Sequence, residues 1–178
     1  MSEEVDRAGG SGGYATTTRR AAVSIIDRLV VLAHDRLPDD PVLAEFITRY
    51  YRELPGADLD DRQLDDLYAA AVVHLSLGRE RLWGETRVKV LSPDRDLDGW
   101  HSSRSVLLLV TDDAPFLVDT VRMVLDRRDI RTHLLVHPML DVRRDDRGVL
   151  LGCDADGDRT EAWTQIEIDR CDPESGAP

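Results

Sequence analysis

The run Ser105-Val106-Leu107-Leu108-Leu109-Val110 narrows the folds open to this chain of 178 residues. Apolar residues fill both its odd and its even positions, so a strand made of it must be covered on both faces. Its length and β-branched content suit a central strand better than a helix. Thr111-Asp112-Asp113-Ala114-Pro115 then reads as a stop followed by a helix start. The cap falls near Asp113 or Ala114, and Pro115 sits just inside. Leu117, Val121, Val124 and Leu125 form a helical stripe to about Arg128. Arg127 and Arg128 suit the negative end of that helix. The segment Ile130–Val136 returns as a strand, Pro138 interrupts it, and Met139–Arg144 extends it. Asp145-Asp146-Arg147-Gly148 is a turn, Val149-Leu150-Leu151 a short strand, and Trp163–Asp169 a strictly alternating one.

Strand, helix, strand, strand is three-quarters of a ferredoxin-like β-α-β-β-α-β unit. A right-handed crossover places the helix at 115–128 on one face of the sheet. No sequence remains for the second helix and the closing strand. Either residues 17–77 supply the missing cover, or the chain is a piece of something longer.

Upstream the apolar period is helical. Ala22, Ile25, Ile26, Leu29, Leu32, Ala33 and Leu37 mark one helix. Pro38-Asp39-Asp40-Pro41 breaks it, with Asp40 as N-cap and Pro41 at the tolerated first position of the next. Leu43, Phe46, Ile47, Tyr50 and Leu54 follow, ended by Pro55-Gly56. A third helix runs from about Asp61 to Leu77, with Gly78 as a C-cap. Arg87-Val88-Lys89-Val90 alternates as a half-buried strand does, and residues 93–103 read as a loop whose one large apolar residue is Trp100. The expected organisation is a flexible tail at 1–16, a helical segment at 17–84, an α/β domain at 85–170 that is truncated, and a tail at 171–178. The fold class is α+β: an incomplete ferredoxin-like sheet preceded by a small amphipathic helical segment.

Charge limits the partners. Lys plus Arg number 23 against 35 Asp plus Glu, a formal charge of −12. That balance disfavours a general nucleic-acid binder, which needs a basic face, and docking on an anionic membrane. No apolar run approaches the roughly 18 residues of a membrane span. The start lacks the basic and apolar regions of a secretory signal, so a cytoplasmic location is expected. Cys153 and Cys171 are too few and too far apart for a disulfide framework or a zinc site.

Residues that suggest chemistry have plainer readings. Gly9-Gly10-Ser11-Gly12-Gly13 lacks the preceding strand and following Lys-Ser/Thr of a phosphate loop. His101-Ser102-Ser103 offers a base beside hydroxyls, but no nucleophile elbow or orienting acid. His133 and His137 lie about 13 Å apart on a strand, beyond the reach of one metal ion. In Asp154-Ala155-Asp156-Gly157-Asp158 the glycine is misplaced for a calcium loop, and Gln165 stands where the bidentate glutamate belongs. Asp112 and Asp113 read as helix caps or ligand contacts rather than a catalytic pair. Catalytic residues and metal ligands are therefore expected to be absent.

Residues 109–121, Leu-Val-Thr-Asp-Asp-Ala-Pro-Phe-Leu-Val-Asp-Thr-Val, followed by His133-Leu134-Leu135-Val136-His137-Pro138, resemble the amino-terminal region of the large bacterial NAD-specific glutamate dehydrogenases. Tyr50-Tyr51-Arg52, Asp65–Ala71, Asp141–Asp145 and Glu161–Arg170 agree, so the resemblance covers about residues 20–170. That region is similar to an ACT domain, a ferredoxin-like module that commonly binds amino acids. ACT domains often carry Asp-x-Pro-Gly-Leu-Leu after the first strand; here Asp113-Ala114-Pro115-Phe116-Leu117-Val118 takes its place, with Phe116 for the glycine. The resemblance implies a non-catalytic regulatory or assembly segment of an enzyme that converts L-glutamate, NAD and water to 2-oxoglutarate, ammonia and NADH. It implies no cofactor in this segment and NAD in the parent enzyme. The implied partners are the rest of the parent chain and an amino-acid effector; the open edge of an incomplete sheet adds edge pairing with further copies in a homo-oligomer. The effector-binding candidates are Asp112, Asp113, Ala114 and Phe116. Free helix amides there suit a carboxylate, and the two aspartates suit an amino group. Plain capping explains the same residues equally well. The alternative is a free-standing ACT-like amino-acid-binding or scaffold protein without enzymatic activity.

Overall fold

The computed structural model describes residues 25–154 and 156–171, leaving aside the side chains of Asp60 and Leu97. The glycine-rich segment and residues 172–178 lie outside the described residues. Among the described residues four helices come first: α1 over 25–36, α2 (Leu43–Tyr50), α3 (Gly56–Asp60) and α4 (Leu64–Gly78). Then come β1 (Arg87–Leu91), the short α5 (Arg95–Asp98), β2 (Ser105–Asp112) and α6 (Leu117–Asp126). The chain closes with β3 (Thr132–Val136), β4 (Met139–Arg144), β5 (Leu150–Gly152) and β6 (Arg159–Ile168).

The helices form where the apolar spacing places them. Leu43, Phe46, Ile47 and Tyr50 are buried along one side of α2. Its entry is held by Asp40, whose carboxylate accepts hydrogen bonds from the amides of Val42 (3.1 Å) and Leu43 (3.3 Å). Chain breaking at Pro55-Gly56 does not last: Gly56 opens α3, with Pro55 just before it. Gly78 is the last residue of α4 rather than its cap, and Arg79 after it stays right-handed. A Cβ at Gly78 would overlap the Trp163 ring. Packing, not helix termination, requires the glycine.

The sheet is antiparallel, in the order β1-β2-β6-β4-β5, with β3 pairing β6. β3 and β4 lie along one edge of β6, and β2 lies along the other. β6 thus enters between β2 and β3, the two strands joined by α6. This is the β-α-β-β portion expected of an ACT-like α+β fold. β1 pairs with the outer edge of β2, from Arg87↔Val110 to Leu91↔Val106. An upstream strand therefore lies at the outer edge of β2, beyond the β-α-β-β portion.

Register separates the two faces. Val106, Leu108 and Val110 of β2 pair with Glu167, Gln165 and Trp163 of β6. This face meets the four-helix unit: Phe46 packs edge-on against Trp163 with ring centroids 4.9 Å apart, in a core shared with Leu29, Tyr50, Leu75 and Val136. Burying a side chain such as Phe46 stabilises the fold by about 2 kcal/mol. Leu107 and Ile166 share the other face, where Val121 and Leu125 of α6 cover them. The molecule is three layers, with helices, sheet and α6 in turn.

Two sequence expectations change here. β1 is less buried than its alternation suggests, since Val88 and Val90 are both 56% exposed. They share the α6 face with Leu109 and Leu107, but α6 packs over Leu107 and Ile166 and not over the two valines. β6 alternates in sequence yet is buried from Glu161 to Ile168. Its polar residues are buried because each has a partner: Tyr50 and Arg62 of the helical unit meet Gln165 and Glu167, Arg81 and Arg144 meet Glu161, and His137 meets Thr164.

Candidate functional site

The β2–α6 junction holds the residues singled out by the sequence. Asp112, at the end of β2, has both carboxylate oxygens engaged. Oδ1 accepts from Arg81 Nη2 at 2.5 Å, and Oδ2 from the Gly84 amide at 2.9 Å. Arg81 is buried and also donates to Glu161 Oε1 at 2.8 Å. Arg144 holds the same glutamate in a fork, with Nε to Oε1 and Nη2 to Oε2 both at 2.8 Å. Two cations and two anions balance. Burial alone would raise the Glu161 carboxyl, but the hydrogen bonds and charges of Arg144 and Arg81 hold it below the usual range. Asp112 thereby ties the 81–85 turn to the sheet.

Asp113, Ala114 and Phe116 are exposed. The helix cap lies later than the sequence indicates: Phe116, not Asp113 or Ala114, stands at the N-cap of α6, and no side chain caps the helix. The Phe116 backbone is left-handed, with φ 62° and ψ 16°. That conformation suits glycine and strains a bulky residue. The residue type common at this position in ACT domains therefore matches the backbone, although this chain places phenylalanine there. The Phe116 side chain is 76% exposed.

Other candidates do not converge. His133 Nε2 lies 2.7 Å from Asp169 Oδ1, and His137 Nδ1 lies 2.7 Å from the Thr164 hydroxyl. The His101 amide donates to Asp66, while Ser102 Oγ accepts from the Arg104 amide. Within the acidic loop, the Asp154 carboxylate accepts from the Asp156 amide as a local turn.

A cleft at the opposite end of β2 escaped the sequence reading. It has a volume of about 460 Å³ and lies between the α3–α4 turn, the loop carrying Trp100 and the end of β6. Arg62 and Glu167 form a two-pronged pair at its base, with Nη2 to Oε2 at 2.8 Å. The hydrogen bond to Glu167 raises the already high Arg62 pKa. Register slips between Thr132 and Leu134, and the bulged residue, His133, lines the cleft. Gln165 and Trp100 also line it, only 3% and 5% exposed. Trp100 Nε1 is buried with no hydrogen-bond partner among the described residues.

Behind Gln165 runs a buried polar chain. Tyr50 Oη lies 2.7 Å from His74 Nδ1 and 2.9 Å from Gln165 Oε1, and His74 Nε2 lies 3.2 Å from the Leu109 carbonyl. Burial holds the His74 pKa down to about 3, so the ring is neutral. A neutral ring that donates to the Leu109 carbonyl through Nε2 must accept at Nδ1. Tyr50 then donates to His74 and needs a donor of its own. The Gln165 amide supplies one when its nitrogen end is turned toward Tyr50, an orientation identical in shape. The amide oxygen then belongs to the cleft. Weak sequence signals existed: Trp100 is a large apolar residue in a polar loop, and Gln165 and Glu167 alternate with Ile166 and Ile168.

A split β-α-β sheet with an open strand-to-helix junction defines the class, an ACT-like α+β module. The family model for the glutamate dehydrogenase ACT1 domain matches residues 46–177, and the chain belongs to that family. It is 32% identical over 157 residues to an NAD-specific glutamate dehydrogenase of Halomonas elongata, covering 84% of this chain and 10% of the relative. It is 31% identical over 136 residues to an enzyme of the same name from Pseudomonas aeruginosa, covering 74% and 8%. The chain thus spans about a tenth of the curated relatives it matches. No solved structure matches it.

Proposed function

We propose that this chain is the amino-terminal regulatory or assembly segment of an NAD-dependent glutamate dehydrogenase and is itself non-catalytic. One observation carries the reading: the chain's kinship spans residues 46–177 and meets only about a tenth of each relative's length. In this reading the parent enzyme converts L-glutamate, NAD and water to 2-oxoglutarate, ammonia and NADH. NAD is bound by the rest of the parent chain, in the cytoplasm. Among the described residues no helix is long and apolar enough to cross a membrane.

The geometry supports a module that senses or joins rather than reacts. The α6 end at Phe116 has no side-chain cap, which leaves helix amides for the carboxylate of an amino-acid effector. Asp113 and Ala114 flank that end. Asp112 acts through Arg81, as a brace for the junction. The test uses the full-length enzyme with and without residues 1–178. Removal is expected to leave glutamate-dependent NADH formation in place and to change its response to amino acids or its assembly. Unchanged response together with unchanged assembly overturns the reading.

A further inference from the structure

We propose that the open part of the α6 face, over Val88 and Val90 of β1, seats an amphipathic helix that the parent chain supplies downstream of residue 178. The proposal rests on the reading that this chain is part of a longer enzyme, and it states where the next segment of that enzyme is held.

The face is apolar and only half covered. Val121 and Leu125 of α6 pack with Leu107, Leu135, Ile166 and Ile168. Beyond them Val88 and Val90 stay exposed, and on α6 itself Met123 and Val124 are exposed too. The other side of β1 is filled, where Leu91 packs with Ala70 of α4, Trp100 and Val106. The solvent face of an antiparallel strand ordinarily carries polar residues; this one carries valines.

The path of the chain selects the occupant. After β6 it turns onto this face, where Cys171 packs with Leu125, Ile166 and Ile168. Ser105 Oγ accepts from the Cys171 amide at 2.8 Å, and Ser92 Oγ donates to the Cys171 carbonyl at 3.1 Å. Ser92 directly follows β1. The chain is thus fastened at the end of β1, with Val90 and then Val88 ahead of it. The upstream helices are committed to the opposite face, in the core of Phe46 and Trp163. The relatives are about ten times longer than the matched region, so downstream chain exists to fill the seat.

A further strand is not what is missing. β1 already holds the outer edge of β2, antiparallel to β2 and therefore parallel to β6. That is the place of the last strand in a β-α-β-β-α-β unit, filled here from upstream. What stays open is the layer beside α6. A strand of five residues such as β1 spans about 16 Å. A helix of about 11 residues matches that length. Its apolar stripe would lie on the valines and its polar face in solvent.

Thiol labelling of Val90→Cys in the full-length enzyme tests this, read by peptide mass spectrometry against the same enzyme unfolded in urea. Labelling in the folded enzyme is expected to be slower by about tenfold or more. A diazirine-bearing residue incorporated in place of Val88 then identifies the neighbour. Its cross-link is expected to join the first segment of the same chain downstream of residue 178. Hydroxyl-radical footprinting of the unaltered enzyme at Val88, Val90 and Met123 reads the same protection without a variant. Labelling as fast as in the unfolded enzyme, or no protection in the footprint, overturns the proposal. A cross-link to another copy of this segment, or to a distant part of the enzyme, overturns it as well. If the expected cross-link forms while removal of residues 1–178 changes neither effector response nor assembly, the regulatory reading falls and the seat stands. The reverse pair of results sinks the seat alone.

Discussion

Gly78 and Trp163 meet so closely that the helix carrying one and the strand carrying the other admit no side chain between them. Trp163 is wholly buried, so its ring cannot swing into solvent. In an ordinary helix, alanine in place of glycine stabilises by about 1 kcal/mol. Here the sign reverses. Gly78→Ala is expected to destabilise the fold by about 2 kcal/mol through overpacking, read as a lower midpoint in urea. A raised midpoint would mean that α4 and β6 do not pack as described.

Phe116→Gly is expected to do the opposite. The side chain is exposed and loses little packing, while its left-handed backbone costs about 1–2 kcal/mol that glycine does not incur. The greater freedom of glycine in the unfolded chain returns part of that gain. A net stabilisation of about 0.5–1 kcal/mol is expected in denaturant titration. Marked destabilisation would show that the aromatic ring is held by contacts after all.

His74 links stability to pH. Its folded pKa is lowered to about 3 by burial, while the unfolded ring titrates at 6.5. Between those values the unfolded chain binds a proton that the folded chain refuses. Stability is therefore lost as pH falls from 6.5 toward 3, by at most about 1.4 kcal/mol per pH unit from this residue. His74→Gln removes the titration. Its unfolding free energy should fall less steeply with acid than that of the parent chain over the same window. Parallel slopes would place a charged or solvated ring at this position.

The outer edge of β1 has no strand partner among the described residues, and Val88 and Val90 lie exposed on it. An open edge with apolar side chains invites pairing with another copy or with the rest of a longer chain. Light scattering is expected to report self-association of the isolated chain. A well-folded, strictly monomeric species contradicts this.

The sequence was most legible where spacing and chemistry agreed. Leu43, Phe46, Ile47 and Tyr50 defined α2, and the apolar run at 105–110 defined β2 and its two-sided cover. Asp40 could be read as the entry to α2 because a carboxylate before a proline has few better uses. Reading failed where a partner distant in sequence decided the outcome. Gly78 resembled a helix stop until Trp163 arrived from far along the chain. Gln165 and Glu167 looked like the solvent side of an alternating strand until Tyr50 and Arg62 supplied buried partners. Asp112 looked free to meet a ligand until Arg81 took its carboxylate. The cleft is assembled from three separated segments, and no local pattern announces it.

As proposed, this chain carries out no redox turnover itself. The most direct test is the purified 178-residue chain, confirmed folded by circular dichroism, incubated with L-glutamate and NAD while NADH formation is followed. The expected rate is that of buffer alone. Sustained NADH production that copurifies with the chain would contradict it.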